Sequence, residues 1–505
     1  MSKFKLAAIF GDDMVLQSGK GVRVFGSGEN GEKITVSLGG AGVSAVVENG
    51  RWLAVLPPAG YAVGLTLTAS AESGETVTFR NVAAGEVWLA GGQSNMELEL
   101  QSCPQGVKAL SEDKSPNVRY YYTPKNVVTD DKFREDEEDS AWCEWGDEEA
   151  KYWSAAGYFF AKEIAARTGA VVGIVGCNWG GTSASSWMSR ESLAADADIK
   201  REYVDAYESA IAGKSAEELD RLWFEYEEYH DAYYERELEF FKKNPLGSYA
   251  ECEAECGENR WPGPVTPRSA FRAYALYEPM VKRVCPYTLA GFIWYQGETD
   301  ADKPELYYKL FSRLIKLWRE DWGDGELPFL FCQLPSHRYA DEPDYKNWAV
   351  LREAQDRVAR EVKNALMAVL IDCGEFNDIH PKDKKTVGER LALLALKDVY
   401  GKDVSAYAPL YGSYIIKDGG MELTFINAEG GLVLKNSDMA TGFELAGRDG
   451  VFYEAAAKIA GEKIFIKCRG VPEPEHARYL WTNYAEVVSV YGANGIPLAP
   501  FRTGI

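Results

Sequence analysis

The sequence of 505 residues is short of basic residues, of long apolar runs and of histidine. Lys and Arg total 55 against 77 Asp and Glu, which gives a formal net charge of −22 at pH 7. Because phosphate groups are bound by clustered cations, this balance argues against nucleic acid or an anionic membrane as a partner. No stretch approaches the roughly 20 apolar residues that a membrane-spanning helix needs.

The N-terminus also lacks the apolar core of a signal peptide. Only five consecutive apolar residues precede Gly11, which is too few for that purpose. We therefore expect a cytoplasmic protein, and an odd number of scattered cysteines, nine in all, fits that compartment. Cys252 and Cys256 form a close pair with no histidine nearby, so the pattern favours free thiols over a zinc site.

The patterning of the chain divides it into three parts, in keeping with a length too great for one core. Residues 1–83 contain short strand-like runs between turns, which predict a β-sandwich-like domain. Residues 84–403 alternate buried strands with helical patterns, which predict a doubly wound parallel α/β sheet. Residues 404–505 are β-like again and predict a second, smaller β domain. The segment Gly26–Gly31 matches the dinucleotide fingerprint GxGxxG but opens no helix, so we interpret it as a turn.

The α/β part is predicted from apolar runs and helical periodicity. The predicted strands are Val87–Ala90, Val171–Val175, Leu289–Tyr295, Phe329–Leu334 and Leu366–Ile371. The predicted helices are Trp153–Arg167, Leu306–Arg319 and Trp348–Val362. Asp130–Glu149 is predicted to be an acidic loop. A helical insertion covers about 191–266, with charged helix over Ala195–Lys243 and irregular chain over Asn244–Thr266. It forms either a wall of the ligand cleft or an exposed hairpin.

One short segment concentrates the features of a nucleophile. The apolar run Val87–Ala90 ends at two glycines, and Ser94 follows where the strand should give way to a helix. A serine at a helix start lies beside unpaired backbone N–H groups that stabilise developing negative charge. A simple N-cap role is the alternative interpretation of such a serine. The choice depends on whether other strand ends supply partners.

Three later segments follow predicted strands and carry suitable groups. Two glycines after Trp179 either let a backbone N–H approach a ligand or form an ordinary loop. Gln296 offers an amide N–H, a donor that does not titrate. His380 is one of only four histidines, with Asp378 two residues before it and a proline after it. His337 is a rival general base on position alone, and a structural role for His380 is the remaining alternative.

Together these motifs resemble the sialate O-acetylesterase family of SGNH (GDSL-like) carbohydrate esterases. The likeness spans nearly the whole chain and keeps the motifs in order. The matching segments are Phe10–Gln17, Gly50–Trp52, Glu86–Trp88, Gly92–Met96, Trp179–Thr182, Trp294–Glu298, Leu351–Gln355 and Asp378–Pro381. Each motif alone is a weak signal, but the ordered set is specific.

The resemblance implies a role for each matching residue. Ser94 is the expected nucleophile and His380 the expected general base. The oxyanion hole is expected from the N–H groups of Ser94 and Gly181 with the Gln296 amide. Asp378 is the expected acid, although the broader SGNH pattern has Asp at the position of Asn377, so a backbone carbonyl is the alternative partner of the ring. The expected substrate-binding residues are Gln93, Asn95, Trp179 and Glu298.

The function implied is hydrolysis of acetyl esters on sugars through an acyl-enzyme, with no metal or cofactor. The substrate is either O-acetylated sialic acid or an acetylated plant-wall oligosaccharide. Two alternatives stay open. One is a non-catalytic glycan-binding protein on a disabled esterase core, and the other is a lipid or thioester hydrolase of the same fold. The sequence leaves the oligomeric state undetermined.

Overall fold

The computed structural model describes residues 4–114, 117–244 and 249–504. The chain forms two compact units. The first unit comprises Met1–Thr123, Glu138–Gly181 and Val284–Ile505, and the second comprises Pro124–Glu137 and Thr182–Arg283.

A large central sheet of 11 strands dominates the first unit. Its main path runs, in spatial order, through Trp142–Glu144, Val118–Tyr122, Val172–Asn178, Thr76–Gly92, Gly291–Tyr295, Phe329–Cys332 and Ala365–Ala368. All neighbours on this path are parallel except Trp142–Glu144, which is antiparallel to its neighbour. The strands off the path are Val15–Gln17, Lys33–Leu38, Ala41–Val46 and Ala62–Ala71. The sheet is therefore mixed.

The order of the parallel strands reverses beside Thr76–Gly92. Along the chain, Val118–Tyr122 and Val172–Asn178 lie on one side of this strand, whereas Gly291–Tyr295 and the two later strands of this sheet lie on the other. Connections that leave a strand in opposite directions open a crevice at the carboxyl ends of the strands. The segment after Gly92 lies at this crevice.

The helices of the first unit pack in pairs beside the sheet. Ala155–Thr168 begins at Ser154, whose hydroxyl accepts the Gly157 N–H, and it packs against Lys384–Asp398. Pro304–Asp321 packs against Asn347–Glu361. All three predicted helices of this region are present, with bounds shifted by a few residues at most. Shorter helices are Ser94–Glu97, Leu100–Ser102, Pro104–Glu112, Glu148–Tyr152 and Thr299–Asp302.

The described N-terminal and C-terminal parts of the chain are β-structured, as the turn-separated runs predict. The N-terminal part adds a three-stranded sheet of Lys5–Leu6, Val22–Ser27 and Arg51–Leu56. The C-terminal strands are Leu410–Lys417, Gly420–Ile426, Leu432–Leu434, Phe443–Ala446, Tyr453–Glu454, Ala456–Ala460, Lys463–Lys467, His476–Tyr479, Val490–Gly492 and Phe501–Arg502. They form three sheets of four, two and four strands. The domain boundaries at residues 83 and 403 stay predictions.

The second unit is helical over most of its described length. Its longest helix, Ala216–Lys243, begins at Ser215, whose hydroxyl accepts the Glu218 N–H. The other elements are Asp131–Glu138, Ala184–Trp187, Arg190–Ala194, Ala197–Ile199, Lys200–Asp205, Ala206–Ile211, Tyr249–Cys256 and Tyr277–Val281, with the short helix Lys282–Val284 at its end. The helical part of the predicted insertion is thus present.

Two segments predicted to be irregular contain regular structure. Asn244–Thr266 holds the helix Tyr249–Cys256, because Cys252 and Cys256 bury their side chains against Tyr233 and Phe240. The predicted acidic loop Asp130–Glu149 holds the helix Asp131–Glu138 and the strand Trp142–Glu144. The strand forms because the apolar side chain of Trp142 is buried. Both segments are rich in charged residues, so their hydrophobic pattern did not predict a helix or a strand.

All nine cysteines are free thiols. Among the helices that the structure describes, none is both long enough and apolar enough to cross a membrane.

Candidate active site

The central strand Thr76–Gly92 ends in a turn that its last residue makes possible. Gly92 has φ +134°, and a Cβ there would lie 2.1 Å from the carbonyl oxygen of Tyr295 on the neighbouring strand. The next N–H, of Gln93, donates to that same carbonyl at 3.0 Å. The helix Ser94–Glu97 starts immediately afterwards. Ser94 is thereby held at the carboxyl edge of the sheet, at the start of a helix.

Ser94 and His380 form a hydrogen-bonded pair. Ser94 Oγ lies 2.9 Å from His380 Nε2, and both residues are half-buried. His380 lies on the loop between Ala365–Ala368 and Lys384–Asp398. Burial lowers the pKa of His380, and the cation of Lys384 lowers it further. The ring is therefore neutral near pH 7 and able to accept a proton from the hydroxyl.

The carboxylate of Asp378 is engaged with the backbone of the same loop. Its Oδ1 accepts the backbone N–H of His380 at 2.8 Å, and its Oδ2 lies 3.5 Å from Lys382 Nζ. In the part of the chain that the structure describes, His380 Nδ1 makes no hydrogen bond. The geometry is that of a Ser–His pair, and the role of Asp378 as triad acid stays a prediction.

The glycine loop after Val172–Asn178 lies against the nucleophile. The Trp179 N–H donates to Gly92 O at 3.1 Å, and the Gly180 N–H donates to Glu97 Oε2 at 2.5 Å. A Cβ on Gly180 would lie 3.2 Å from Ser94 Cβ, so the loop approaches closely. Among described groups, neither the Gly181 N–H nor the Ser94 N–H has an acceptor. These two N–H groups are therefore available to a ligand.

Gln296 lies at the end of the adjacent strand Gly291–Tyr295 and is fully buried. Its Nε2 donates to Asp300 Oδ2 at 2.7 Å, and its Oε1 accepts the Tyr307 hydroxyl at 3.0 Å. These two partners fix the orientation of the amide. Its role as a third oxyanion donor stays a prediction.

The four expected substrate-binding residues differ in exposure. Gln93, Asn95 and Glu298 are buried, whereas Trp179 is half-buried. Gln93 Oε1 accepts the Thr299 N–H at 3.3 Å, and Asn95 Nδ2 donates to Glu298 Oε1 at 2.5 Å. Burial and internal hydrogen bonds favour positioning roles for the first three. The substrate-binding roles of all four stay predictions.

Comparison with known proteins identifies the family. The family model described as "Carbohydrate esterase, sialic acid-specific acetylesterase" matches residues 84–231 and 265–397. The chain belongs to this family. The esterase is 26% identical to the sialate O-acetylesterase of Mus musculus over 445 residues, which cover 81% of this chain and 76% of that protein.

Two further relatives agree with this assignment. The human sialate O-acetylesterase is 24% identical over 448 residues, with 81% of this chain and 73% of that protein covered. A crystal structure of a carbohydrate acetylesterase from Xanthomonas citri matches with a TM-score of 0.78 and 28% identity, covering 99% of both chains. The esterase is therefore a hydrolase of O-acetyl esters, with O-acetylated sugars as the substrate class of its family.

Sequence patterning missed one charged residue of this esterase's site. Lys384 is 0% exposed, and its Nζ donates to Asn95 Oδ1 at 2.6 Å. Burial lowers the pKa of Lys384 to about 8, against the opposing effect of the Glu298 carboxylate. A signal was present in the sequence, because Lys384 is the first residue of a helix, where the macrodipole disfavours a cation.

His337, the rival general base, is not the partner of Ser94. It is buried against the rings of Tyr339 and Trp348, with centroid distances of 4.6 and 5.0 Å. Neither of its ring nitrogens has a hydrogen-bond partner among described residues, and burial lowers its pKa. The esterase thus uses the His380 loop to contact the serine.

No group of three or more His, Cys, Asp or Glu residues that could hold a metal ion occurs in the described ranges of the esterase.

Proposed function

We propose that the protein is a serine O-acetylesterase that removes acetyl groups from sugars with Ser94 as nucleophile and His380 as general base. The observation that carries this proposal is the 2.9 Å contact between Ser94 Oγ and His380 Nε2 at the carboxyl edge of the sheet. The available N–H groups of Ser94 and Gly181 support it, because a tetrahedral intermediate needs donors beside the attacked carbonyl.

Acylation would begin with attack of Ser94 Oγ on the acetyl carbonyl while His380 Nε2 takes the hydroxyl proton. The negative charge that develops on the carbonyl oxygen is stabilised by the two N–H groups and, in our proposal, by Gln296. The bond to the sugar oxygen then breaks. His380 returns its proton to that oxygen, and an acetyl-serine ester remains on the enzyme.

Deacylation repeats the same proton transfers with water. His380 accepts a proton from a water molecule, whose oxygen forms a bond to the acetyl carbonyl carbon. Collapse of the second tetrahedral intermediate breaks the bond to Ser94 Oγ, which recovers its proton from His380. Acetate leaves, and the serine hydroxyl is restored.

Both sugar classes remain in the proposal. Sialic acid carries a carboxylate, which an arginine binds in bidentate fashion. Arg338 is a candidate, because its carbonyl accepts the Asn377 N–H at 3.0 Å and so joins its loop to that of His380. Neutral plant-wall oligosaccharides need no such cation. Two further arginines that could bind a carboxylate, Arg190 and Arg268, belong to the second unit.

We extend the proposal to the architecture and the compartment. The reversal of strand order at Thr76–Gly92 supports a doubly wound SGNH-hydrolase core over residues 84–403. We also propose that β domains over residues 1–83 and 404–505 flank this core, and that the protein is cytoplasmic.

The test is acetate release by the wild-type protein and by Ser94→Ala. The substrates are O-acetylated sialic acid, acetylated xylo- and manno-oligosaccharides, and a long-chain p-nitrophenyl ester. We expect release from at least one sugar and a loss of about 10³-fold or more in kcat for the variant, as for other serine nucleophiles. Equal activity in the variant would overturn the serine mechanism. Release from the long-chain ester alone would favour a lipid hydrolase, and no release at all would favour a glycan-binding protein.

A further inference from the structure

The side chain of Asn95, next to the nucleophile, is a junction of three other elements. It is 1% exposed. Its Nδ2 donates to the carbonyl of Ile379 at 2.9 Å and to Glu298 Oε1 at 2.5 Å, and its Oδ1 accepts from Lys384 Nζ at 2.6 Å. Both amide hydrogens are therefore used within the protein, and none is left for a substrate.

The partners fix which way the Asn95 amide points. A carboxylate and a peptide carbonyl accept hydrogen bonds but cannot donate, so the NH2 group must face Glu298 and Ile379. A lysine ammonium only donates, so the amide oxygen must face Lys384. Rotation of the amide by 180° would place its oxygen against two acceptors and its NH2 group against the lysine donor. The orientation is thus determined by chemistry as well as by shape.

The contact with Ile379 connects the two catalytic groups. Ser94 precedes Asn95, and His380 follows Ile379. One hydrogen bond between side chain and backbone thereby joins the residue after the nucleophile to the residue before the base. Among described residues, His380 Nδ1 makes no hydrogen bond, so the ring lacks the bonded carboxylate that orients the histidine of a full triad.

We propose that Asn95 is the positioning residue of the Ser94–His380 pair, acting on the backbone of the histidine loop in place of a carboxylate on the ring. Lys384 and Glu298 hold the Asn95 amide in the required orientation. This inference rests on the proposed function, since it assumes that Ser94 and His380 react.

The buried charges explain why such a junction is built from these residues. Lys384 and Glu298 are both buried, and a buried ion is stable only when paired or hydrogen-bonded. Asn95 bridges them, so the site keeps a cation and an anion without direct contact. The charged or titratable groups that act on His380 are Lys384, Asp378, Lys382 and His337. Of these, Lys384 alone contacts Asn95.

The decisive variant is Asn95→Asp. The side chain keeps its shape and its acceptor for Lys384, but the new oxygen faces Glu298 and the Ile379 carbonyl, two acceptors. At most one of the two donated hydrogen bonds can be rebuilt by a shared proton. We expect kcat to fall about 100-fold, the order associated with a misplacement of about 1 Å, while KM changes by less than about 3-fold.

Asn126→Asp is the matched control. Asn126 is a buried asparagine of the second unit, and like Asn95 it donates to a carboxylate and accepts from a basic side chain. Its Nδ2 donates to Asp136 Oδ2 at 2.7 Å, and its Oδ1 accepts from Arg283 Nη1 at 2.7 Å. We expect this variant to lower the Tm without lowering kcat. If Asn95→Asp lowers the Tm equally but leaves kcat unchanged in the folded protein, Asn95 is merely structural and the inference is wrong.

A probe that needs no sugar separates this inference from the proposed function. With a p-nitrophenyl alkylphosphonate, Ser94 Oγ forms a bond to phosphorus, p-nitrophenolate leaves, and His380 takes the serine proton. One equivalent of released p-nitrophenolate that disappears in Ser94→Ala establishes a reactive Ser94 whatever the natural substrate is.

Labelling by wild type and about 100-fold slower labelling by Asn95→Asp would support the positioning role. Equal labelling rates would overturn it while leaving the serine mechanism intact. Absence of labelling in the wild type would count against the reactive pair itself, and the inference would fall with it. Should Asn95→Asp fail to fold, Lys384→Met is the alternative variant, because it removes only the hydrogen bond to Asn95 Oδ1. We expect it to displace the histidine loop less and to slow labelling about 10-fold.

Discussion

Two buried glutamates, Glu86 and Glu298, lie at opposite ends of the parallel strands of the central sheet. Their carboxylates differ in how many hydrogen bonds they accept. Glu86 accepts four, from Ser18 Oγ, Tyr61 Oη, Gln17 Nε2 and Tyr400 Oη, at 2.9 to 3.1 Å. Glu298 accepts one from a side chain, the Asn95 amide, and its Oε2 is buried with no partner among described groups.

The difference concerns how completely the protein satisfies each buried carboxylate. Glu86 also lines a cavity of about 680 Å³, which is large enough for a small ligand. All its strong acceptor positions are nevertheless taken by the protein, so its contacts hold the amino edge of the sheet together. Glu298 carries an incomplete hydrogen-bond set beside the nucleophile, and burial raises its pKa. Of these two carboxylates, the incompletely satisfied one lies beside the expected nucleophile, whereas the cavity that Glu86 lines includes neither Ser94 nor His380.

The largest expected effect separates His380 from its neighbouring carboxylate. His380→Asn should lower kcat by about 10³-fold or more, because it removes the proton acceptor of Ser94. Asp378→Asn keeps an oxygen that can accept the His380 backbone N–H, so we expect a loss below about 10-fold. Steady-state kinetics on an acetyl ester, with a Tm for each variant, measure both.

The two variants together test the absence of a ring carboxylate. In a full triad, replacing the acid by its amide costs about 10⁴-fold in kcat. A loss of that order in Asp378→Asn, without a matching loss of stability, would show that Asp378 turns to the ring during catalysis. The division of labour between Asp378 and Asn95 would then be wrong.

The next effect in size is a difference in stability between Glu86→Gln and Glu298→Gln. Glu86→Gln weakens four hydrogen bonds to a charged acceptor, so the free energy of unfolding should fall by about 1–3 kcal/mol with kcat unchanged. Glu298→Gln removes a carboxylate whose raised pKa makes its ionised form unfavourable in the folded state. Stability should therefore stay level or rise at neutral pH, while kcat falls because Lys384 loses its nearby anion.

The sign of the Glu298 effect depends on pH. A raised pKa in the folded state means that this group costs stability as pH rises above the ordinary value of 4.5. The wild type and Glu298→Gln should thus differ little at pH 4 and most at neutral pH. Chemical denaturation at both pH values measures this difference. If Glu298→Gln lowers the free energy of unfolding more than Glu86→Gln does, Glu298 is the carboxylate that stabilises the fold, contrary to our expectation.

The sequence predicted what depends on local order and missed what depends on distant contacts. Ser94 and His380, which the structure brings into contact, were candidates because an apolar run ending in glycines and a rare histidine beside a proline are visible in a short window. Their expected roles came from the family resemblance. The junction at Asn95 joins residues 203 to 289 positions apart, and no window contains it. The family resemblance implied substrate binding for Asn95, and nothing in its sequence position indicated a contact with the histidine loop.

The fold shows the same division. The strands that flank the site were predicted within a few residues, because both faces of a buried parallel strand are apolar. Val118–Tyr122 was missed because it contains Arg119, whose buried guanidinium donates to the carbonyls of Asp13 and Asn81. Burial of that charge depends on partners from the N-terminal part, which sequence periodicity does not report.

The smallest expected effect is a shift in the pH profile on replacing Lys384, a fully buried lysine. His380 must be neutral to act as a base, and its pKa is lowered from 6.5, so kcat/KM should rise with pH through a midpoint below 6.5. Lys384→Met removes a cation that lowers this pKa. The midpoint should therefore move upward, while the burial of His380 and the charges of Asp378 and Lys382 keep acting on it.

Lys20→Met is the matched control at the other edge of the sheet. Burial also lowers the pKa of Lys20, whose Nζ donates to Leu289 O at 3.0 Å beside Glu86. We expect no movement of the kcat/KM midpoint in this variant. The wild type should also lose activity above about pH 8 as Lys384 loses its proton and its hold on Asn95 weakens. If the loss of activity at high pH persists unchanged in Lys384→Met, a group other than Lys384 causes it. If both lysine variants shift the kcat/KM midpoint equally, the effect of Lys384 on the pKa of His380 is not specific to its position.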